Sequence, residues 1–240
     1  MGLPKRIMQT WKNSTIPPEW VPSVKSIQKY MPDWEYTLMT DADNRAFVAA
    51  HFPDFLSYYD AFEYPIQRAD AVRYCWLYVH GGLYMDLDIE LLKPLDPLFA
   101  DGAAEVYLVP SGNLRTCLTN AFMASQPRAQ LWLDCIEEMR KPAPWWAVGK
   151  HLTVMTTTGP MMLHRVAERH LFREIPSELI FPCSVCEPSC VPHADAYARE
   201  LPGSSWCGWD SHCYNFLFCN WGKILIIGIL FIVYFYNQHR

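Results

Sequence analysis

The sequence predicts a single α/β domain with a mostly parallel central sheet, and three observations predict it. Segments of strand period and helix period alternate through the first third of the chain. The longest helical pattern, Pro65 to His80, ends on Gly81-Gly82 and turns at once into an alternating, strand-like run. The 240 residues are 51% hydrophobic and 15% aromatic, enough apolar material for one substantial core and too much for a disordered chain. The formal charge of −5 supplies no basic footprint, which argues against nucleic acid as a partner. No internal repeat or low-complexity segment interrupts the chain.

The opening MGLPKRIMQTWKN contains no long apolar segment, so it reads as neither a signal peptide nor an N-terminal membrane anchor. Arg6 stands where a Ser or Thr would complete a myristoylation signal after Gly2. Arg6 to Thr10 reads as the first strand, Ile16 to Pro22 as a Pro-rich connector, and Ser23 to Met31 as a helix. WEYTLMTD alternates as a second strand, and Thr40 or Asp41 then caps a helix running through His51. Parallel strands joined by crossover helices gather their ligands beyond the carboxyl ends of the strands, at the topological switch point. Tyr36, Thr40 and Asp41 end one such strand, and Tyr58 and Tyr59 precede the central helix; each can face that cleft or pack in the core or on the surface.

The chain is organised around Tyr64 to Pro94, YPIQRADAVRYCWLYVHGGLYMDLDIELLKP. Pro65 suits a first helical turn and the glycines suit a helix end. Ile66, Ala69, Val72, Trp76 and Val79 recur at three- and four-residue steps as one apolar stripe, and Asp70 and Arg73 lie side by side next to it. Beyond the glycines Leu83, Met85, Leu87 and Ile89 alternate with Tyr84, Asp86, Asp88 and Glu90. That alternation points Asp86 and Asp88 the same way, roughly 6.5–7 Å apart. Two hard carboxylates at a strand end suit Mg²⁺ or Mn²⁺, which take few protein carboxylates and keep positions open for phosphate oxygens. An Asp-x-Asp by itself is weak evidence of a metal site. Here four charged residues, Asp70, Arg73, Asp86 and Asp88, converge inside an otherwise apolar unit, where charges without partners are costly. The plainer reading is a buried salt bridge from Arg73 to Asp70 or Asp86 that holds helix to strand.

RADAVRYCWLYVHGGLYMDLDIELLKPLD resembles the signature of the DXD-containing sugar transferases of the yeast initiating α-1,6-mannosyltransferase family, glycosyltransferase family 32. Within it the stretch is most similar to the inositol-phosphorylceramide mannosyltransferases; the same Asp, Arg and Asp-x-Asp arrangement occurs in the clostridial glucosylating toxins. The resemblance implies a GT-A-like (Rossmann-like) nucleotide-sugar transferase domain. It implies Asp70, Arg73, Asp86 and Asp88 as catalytic residues, with Asp86 and Asp88 on the metal. It places Gln9, Thr10 and Trp11 of IMQTWK at the nucleotide, together with Gly82, Asp86, Ser205 and Trp206, the last two from the closing stretch LPGSSWCGWDS. Trp11 reads equally as core packing.

Beyond Pro94 strands are expected at Val106 to Val109 and Asn120 to Ala124, and a helix from Pro127 to Arg140 with Leu131, Ile136 and Met139 on its apolar side. Asn113 to Ala124 matches a region of the family that makes Asn120 a candidate for the donor or acceptor sugar. The Thr158-Gly159-Pro160 turn is, by resemblance, one whose backbone lines the substrate cleft; by itself it is a helix entry. Pro142 to Trp146 forms a loop rich in aromatic surface. Relatives place a His shortly before the closing motif, where this chain has Ala198, Arg199 and Glu200; Asp210 and His212 are the nearby substitutes for a third metal ligand.

Six of the nine cysteines, Cys183, Cys186, Cys190, Cys207, Cys213 and Cys219, lie in the last third. Cys183-x2-Cys186 with Cys190 fits part of a zinc site, disulfides fit an oxidising lumen, and free thiols fit the cytosol. The run Ile224 to Tyr236 is 13 residues, roughly 20 Å as a helix against a hydrocarbon core of roughly 30 Å. With Lys223 and a His-Arg end to snorkel, it is expected to be a short single-pass or interfacial membrane anchor, the alternative being an element docked on the sheet. The division expected is a catalytic domain at 1–222 and an apolar tail at 223–240, on a secretory-pathway membrane of unspecified side.

Taken with the resemblance, the residues point to a metal-dependent, retaining hexosyltransferase that moves mannose from GDP-mannose to an inositol-phosphorylceramide-like lipid or a glycan. Two other readings stay open. One is a transferase that uses a UDP-sugar on a protein or other glycan. The other is a membrane-tethered binding module whose carboxylates hold Ca²⁺, against which stands the absence of a Gly and of the 12-residue spacing of a calcium loop.

Overall fold

The computed structural model describes residues 2–100, 102, 104–111, 117–184, 186–187, 190–203 and 205–238, without the side chains of 227, 228 and 230–238. The segment around Asn113 lies outside the described residues. The first half runs β1 (Arg6–Thr10), α1 (Val21–Tyr30), β2 (Glu35–Met39), α2 (Asp41–His51), α3 (Leu56–Ala61), α4 (Pro65–His80), β3 (Gly82–Met85) and β4 (Ile89–Leu91). The second half runs α5 (Asp96–Phe99), β5 (Val106–Pro110), β6 (Leu118–Ser125), α6 (Gln130–Glu138), α7 (Gly149–Thr157), α8 (Pro160–Ala167), β7 (Arg173–Glu174), α9 (Ser177–Ile180), β8 (Ala198–Glu200) and α10 (Trp209–Gln238).

Among the described residues six strands form one sheet in the order β2-β1-β3-β6-β5-β7. β1 pairs in parallel with both β2 and β3, and β5 with β7, while β6 runs antiparallel to β3 and β5. Three of the five pairings are therefore parallel. Alternation along the strands feeds two cores: Met8, Tyr84, Leu108 and Met123 face one, Ile7, Leu83, Tyr107 and Phe122 the other. The helices α2, α4, α6 and α8 cover the first face, and α1 covers the second. Because the crossovers from β1 and from β2 leave on opposite faces, the β1/β3 boundary is a switch point, and its carboxyl edge opens a cleft.

The Thr40 cap forms as expected: its hydroxyl accepts from the Asp43 N–H at 3.2 Å, and the Asp43 carboxylate accepts the Thr40 N–H at 2.9 Å. The helix expected from Pro127 begins at Gln130, because Arg128 takes a φ of 69° and holds the chain out of helical conformation. The single apolar stripe expected of α4 is replaced by burial on every side, Gln67 and Asp70 through Leu77 all being buried. The reason is position: the sheet lies on one flank and α2, α6 and α7 lie on others. Ile66 and Val79, placed on the stripe, are only partly buried.

The strand expected through Leu83 to Glu90 breaks into β3 and β4, joined by a turn in which the Ile89 N–H bonds the Asp86 carbonyl at 3.1 Å. Of the three readings left open for the C-terminal cysteines, disulfides hold for four, Cys183–Cys190 and Cys186–Cys219, while Cys75, Cys117, Cys135, Cys207 and Cys213 are free thiols. Cys186–Cys219 ties α10 to the segment before β8. Among the described residues no helix is long and apolar enough to cross a membrane, and most side chains of the run from Ile224 to Tyr236 lie outside them.

Candidate active site

The cleft at the carboxyl edge has a volume of about 490 Å³, within the range of small-molecule sites. Its layout follows the strand order. Asp41 follows β2, Trp11 and Lys12 follow β1, Asp86 to Asp88 follow β3, and Asn120 lies in β6. Glu200, Ser205 and Trp206, with Lys150 at the start of α7, close the other wall.

The four charged residues singled out from the sequence meet here. The Arg73 guanidinium reaches Asp70 and Asp86, each at 3.2 Å, bonds the Asn120 carbonyl at 3.1 Å and lies over the Tyr84 ring at 4.8 Å. Burial works against the Arg73 charge, but Asp86, Tyr84 and Asp70 outweigh it and hold its pKa above the ordinary value. Asp70 is 3% exposed. It accepts from the Asn120 amide at 3.0 Å and the Thr158 hydroxyl at 2.9 Å. Burial pushes its carboxyl up to about 6, with Arg73 and Thr158 pulling the other way. The buried salt bridge and the substrate-facing cluster are thus one object, in which Asp70 aims Arg73 and Asn120.

Asp86 and Asp88 line the cleft from the turn after β3, not from one strand face as the alternation implied. Their roles separate. Asp86 accepts from the Tyr84 hydroxyl at 2.5 Å and pairs with Arg73. Asp88 has no ion pair or side-chain hydrogen bond among the described residues. Burial, then the charges of Asp86 and Glu200, push its carboxyl up to about 8. A desolvated carboxylate facing two others, with Arg73 committed elsewhere and no cation paired to it among the described residues, is a donor set that fits a hard divalent ion, with phosphate oxygens and water completing its shell. No group of three metal-ligating side chains forms among the described residues, so an ion held here would take its remaining ligands from phosphate oxygens and water.

Of the other residues expected at the donor, Thr10, Trp11, Ser205 and Trp206 line the cleft, as does Asn120. Three stand behind it. Gln9 is fully buried; its amide donates to Ser23 Oγ and to the Asp86 carbonyl, both at 3.0 Å, and it accepts from the Tyr36 hydroxyl. It therefore fixes the Asp86 backbone and has no access to a base. Thr158 is buried and serves Asp70, while Gly159 fits against the Val154 carbonyl, where a Cβ would come within 3.0 Å. Gly82 is misplaced by the sequence reading: it begins β3, at the opposite end of the strand from the cleft. Its φ of 88° and the 2.5 Å separation of a hypothetical Cβ from the Arg6 carbonyl explain the glycine. Tyr58 and Tyr59 do not line the cleft, and Tyr59 is buried. Asp210, considered as a third ligand, instead accepts the His151 N–H at 2.7 Å at the start of α7.

Two contributors escaped the sequence reading. Glu200 lines the cleft at the end of β8, which pairs with β4 directly after the Asp86–Asp88 turn. Gly203 abuts Asp88, a Cβ there falling 2.7 Å from Asp88 Oδ2. The Leu201 N–H bonds the Asp88 carbonyl at 2.6 Å and the Trp20 indole bonds the Pro202 carbonyl at 2.9 Å, pinning this wall to the turn. The Pro-Gly pair in LPGSSW was the available signal, since a glycine beside a motif permits close backbone approach. Its partner more than a hundred positions away was not legible.

Comparison with known proteins agrees with this geometry. The glycosyltransferase sugar-binding region containing a DXD motif matches residues 17–104. The chain is 34% identical to inositol phosphoceramide mannosyltransferase 3 of Schizosaccharomyces pombe over 98% of this chain and 65% of that protein. It is 31% identical to a mannosyl phosphorylinositol ceramide synthase of Saccharomyces cerevisiae, over 85% of this chain and 52% of that protein. With the initiation-specific alpha-1,6-mannosyltransferase of the same yeast it shares 33% identity over 60% of this chain and 26% of that protein. The chain thus spans less than two thirds of these relatives. The PaToxG glycosyltransferase superposes with a TM-score of 0.51 at 14% identity, over 70% of this chain and 69% of that one, so the fold is GT-A-like.

Proposed function

We propose that the chain is a glycosyltransferase of the kind that carries a DXD sugar-binding region, and that it transfers mannose from GDP-mannose to an inositol-phosphorylceramide-like lipid or glycan acceptor, with retention of configuration. The observation that carries the proposal is the meeting of Asp86, Asp88 and Arg73 at the carboxyl edge of β3, inside a cleft of about 490 Å³. The named activities of the yeast relatives supply mannose and the inositol phosphoceramide acceptor.

Asp88, assisted by Asp86, would hold Mn²⁺ or Mg²⁺, which when bound offsets the charge developing on the departing diphosphate. Arg73, fixed by Asp70 and Asp86, orients the donor beside that charge with no reorganisation at the moment of reaction. Asn120, anchored through its amide to Asp70, and Arg73 face the sugar end. Ser205 and Trp206 close over the diphosphate from the opposite wall. At the sugar end Asp70 is committed to Arg73, Asn120 and Thr158, which leaves it poorly placed as a nucleophile. This supports front-face attack by the acceptor hydroxyl, its proton passing to the leaving phosphate, in place of a covalent glycosyl intermediate.

We assign 1–222 to the catalytic domain and 223–240 to a tail, with α10 continuous through the division. A lipid acceptor suits the exposed apolar side chains of α10, Phe216, Leu217, Trp221 and Ile226. We read that surface as an interfacial contact with a secretory-pathway membrane, in keeping with the two disulfides. A donor screen tests the function. With Mn²⁺, GDP-mannose should release GDP, faster when an inositol-phosphorylceramide acceptor is present, and nuclear magnetic resonance should show an α-linked product. Preferential turnover of a UDP-sugar would move the assignment to the other donor class, and release from no donor would remove the transferase reading.

A further inference from the structure

The strand order lays the cleft out as a ruler. A nucleoside diphosphate whose phosphates lie beyond β3 extends its nucleoside over β1 towards β2. The ends of β2 and β3 are two strand spacings apart, about 10 Å. Trp11 stands at the end of β1, and Asp41 at the end of β2.

Asp41 is exposed and lines the cleft, yet no hydrogen bond or ion pair engages its carboxylate among the described residues. Its place in the first turn of α2 would by itself explain an acid, because a helix N-terminus favours one. That task is already filled: Asp43 accepts both the Thr40 N–H and hydroxyl, at 2.9 and 2.6 Å. Arg68, whose charge reaches Asp41, makes no ion pair with it among the described residues and donates through Nη1 to the Phe62 carbonyl at 2.7 Å. A free carboxylate is therefore presented at the nucleoside end of the cleft.

The chemistry of a carboxylate discriminates among bases. Guanine offers two adjacent donors, N1–H and the N2 amino group, which match the two oxygens in parallel bonds. Uracil offers one N3–H between two carbonyls, so a carboxylate that takes the hydrogen sets its second oxygen against a carbonyl oxygen. Adenine and cytosine place a ring acceptor beside their amino groups and meet the same repulsion.

We propose that Asp41 is the specificity-determining residue for the donor base, accepting from the N1–H and N2–H edge of guanine while the base packs beside Trp11. This deepens the transferase reading above and rests on it.

Calorimetric titration of the full chain with GDP, inosine diphosphate and UDP, each with Mn²⁺, tests it without requiring turnover. Inosine diphosphate lacks only the N2 amino group. The wild-type chain should bind GDP more tightly than either, and Asp41→Asn, which turns an N–H donor toward guanine, should weaken GDP about 10–100-fold. UDP should be unchanged or tighter, and the preference for GDP over inosine diphosphate should vanish. Asp41→Ala should lose the same preference, and thermal unfolding of both variants should stay within a few degrees of the wild type, since the Asp41 side chain holds no hydrogen bond or ion pair among the described residues and contributes only its charge to the first turn of α2. Equal weakening of GDP and UDP would place Asp41 on the ribose and overturn the proposal, as would an unchanged GDP preference. Failure of the wild-type chain to bind any of the three would overturn the transferase reading itself, and this inference with it.

Discussion

Asp88 is desolvated and opposed by the charges of Asp86 and Glu200, which outweigh the more distant pull of Arg73, and no cation pairs with it among the described residues, so Asp88→Asn should relieve the fold while removing the function. Its melting temperature should rise by about 2–4 °C for each kcal/mol relieved, and donor turnover should fall at least about 100-fold; calorimetric melting and a GDP-release assay on one preparation check both signs. Gly203→Ala separates the two effects differently. The added Cβ would press on Asp88 Oδ2, the movable end of a side chain, and more lightly, at 3.2 Å, on the buried Trp20 ring, so stability should fall by about 1 kcal/mol while the KM for donor rises several-fold. Arg73 is the contrary case: Arg73→Ala leaves Asp70 buried without its cation and should cost about 3–5 kcal/mol in a denaturant titration, whatever it does to catalysis.

α2 and its cap give the cleanest test at the level of elements. Thr40→Ala removes the hydroxyl that serves Asp43 and should destabilise the chain by about 1 kcal/mol. The hydroxyl and N–H of Thr40 hold the Asp43 carboxyl below its ordinary 3.8. The stability this contributes is therefore complete above that value and is lost as the pH falls through the lower, folded pKa. Asp43→Asn should flatten that part of the acid unfolding curve. This cap was legible because its partners lie three residues apart, and so were α4 and its Gly-Gly end, where Pro65, the helical period and two glycines agree within one segment. Reading failed where the deciding partner was distant. The alternation through Asp86 and Asp88 suggested one straight strand, but β3 ends where the Asp86 N–H takes its last ladder bond, to Ala121 at 2.8 Å. The chain then turns to meet β8, more than a hundred residues on. Gln9 likewise was a base contact only by the resemblance of IMQTWK, yet its side chain turns inward to Ser23.

For the molecule as a whole, the cysteine arrangement and the cleft make separate commitments. Unfolded, unreduced protein should titrate five thiols with a disulfide-exchange reagent, rising to nine after reduction; nine from the start would remove both cross-links and the oxidising compartment with them. The cleft joins elements from β1 to the wall before α10, so its central claim concerns the chain as a unit: Asp86, Asp88 and Arg73 form a cation-dependent cradle for a nucleotide diphosphate. The most direct measurement is the paramagnetic resonance signal of free Mn²⁺ during titration with protein and GDP. The signal should fall in step with wild-type protein when GDP is present, and Asp88→Asn protein should leave it at the level set by GDP alone. Equal loss of signal with the two proteins would contradict the cradle.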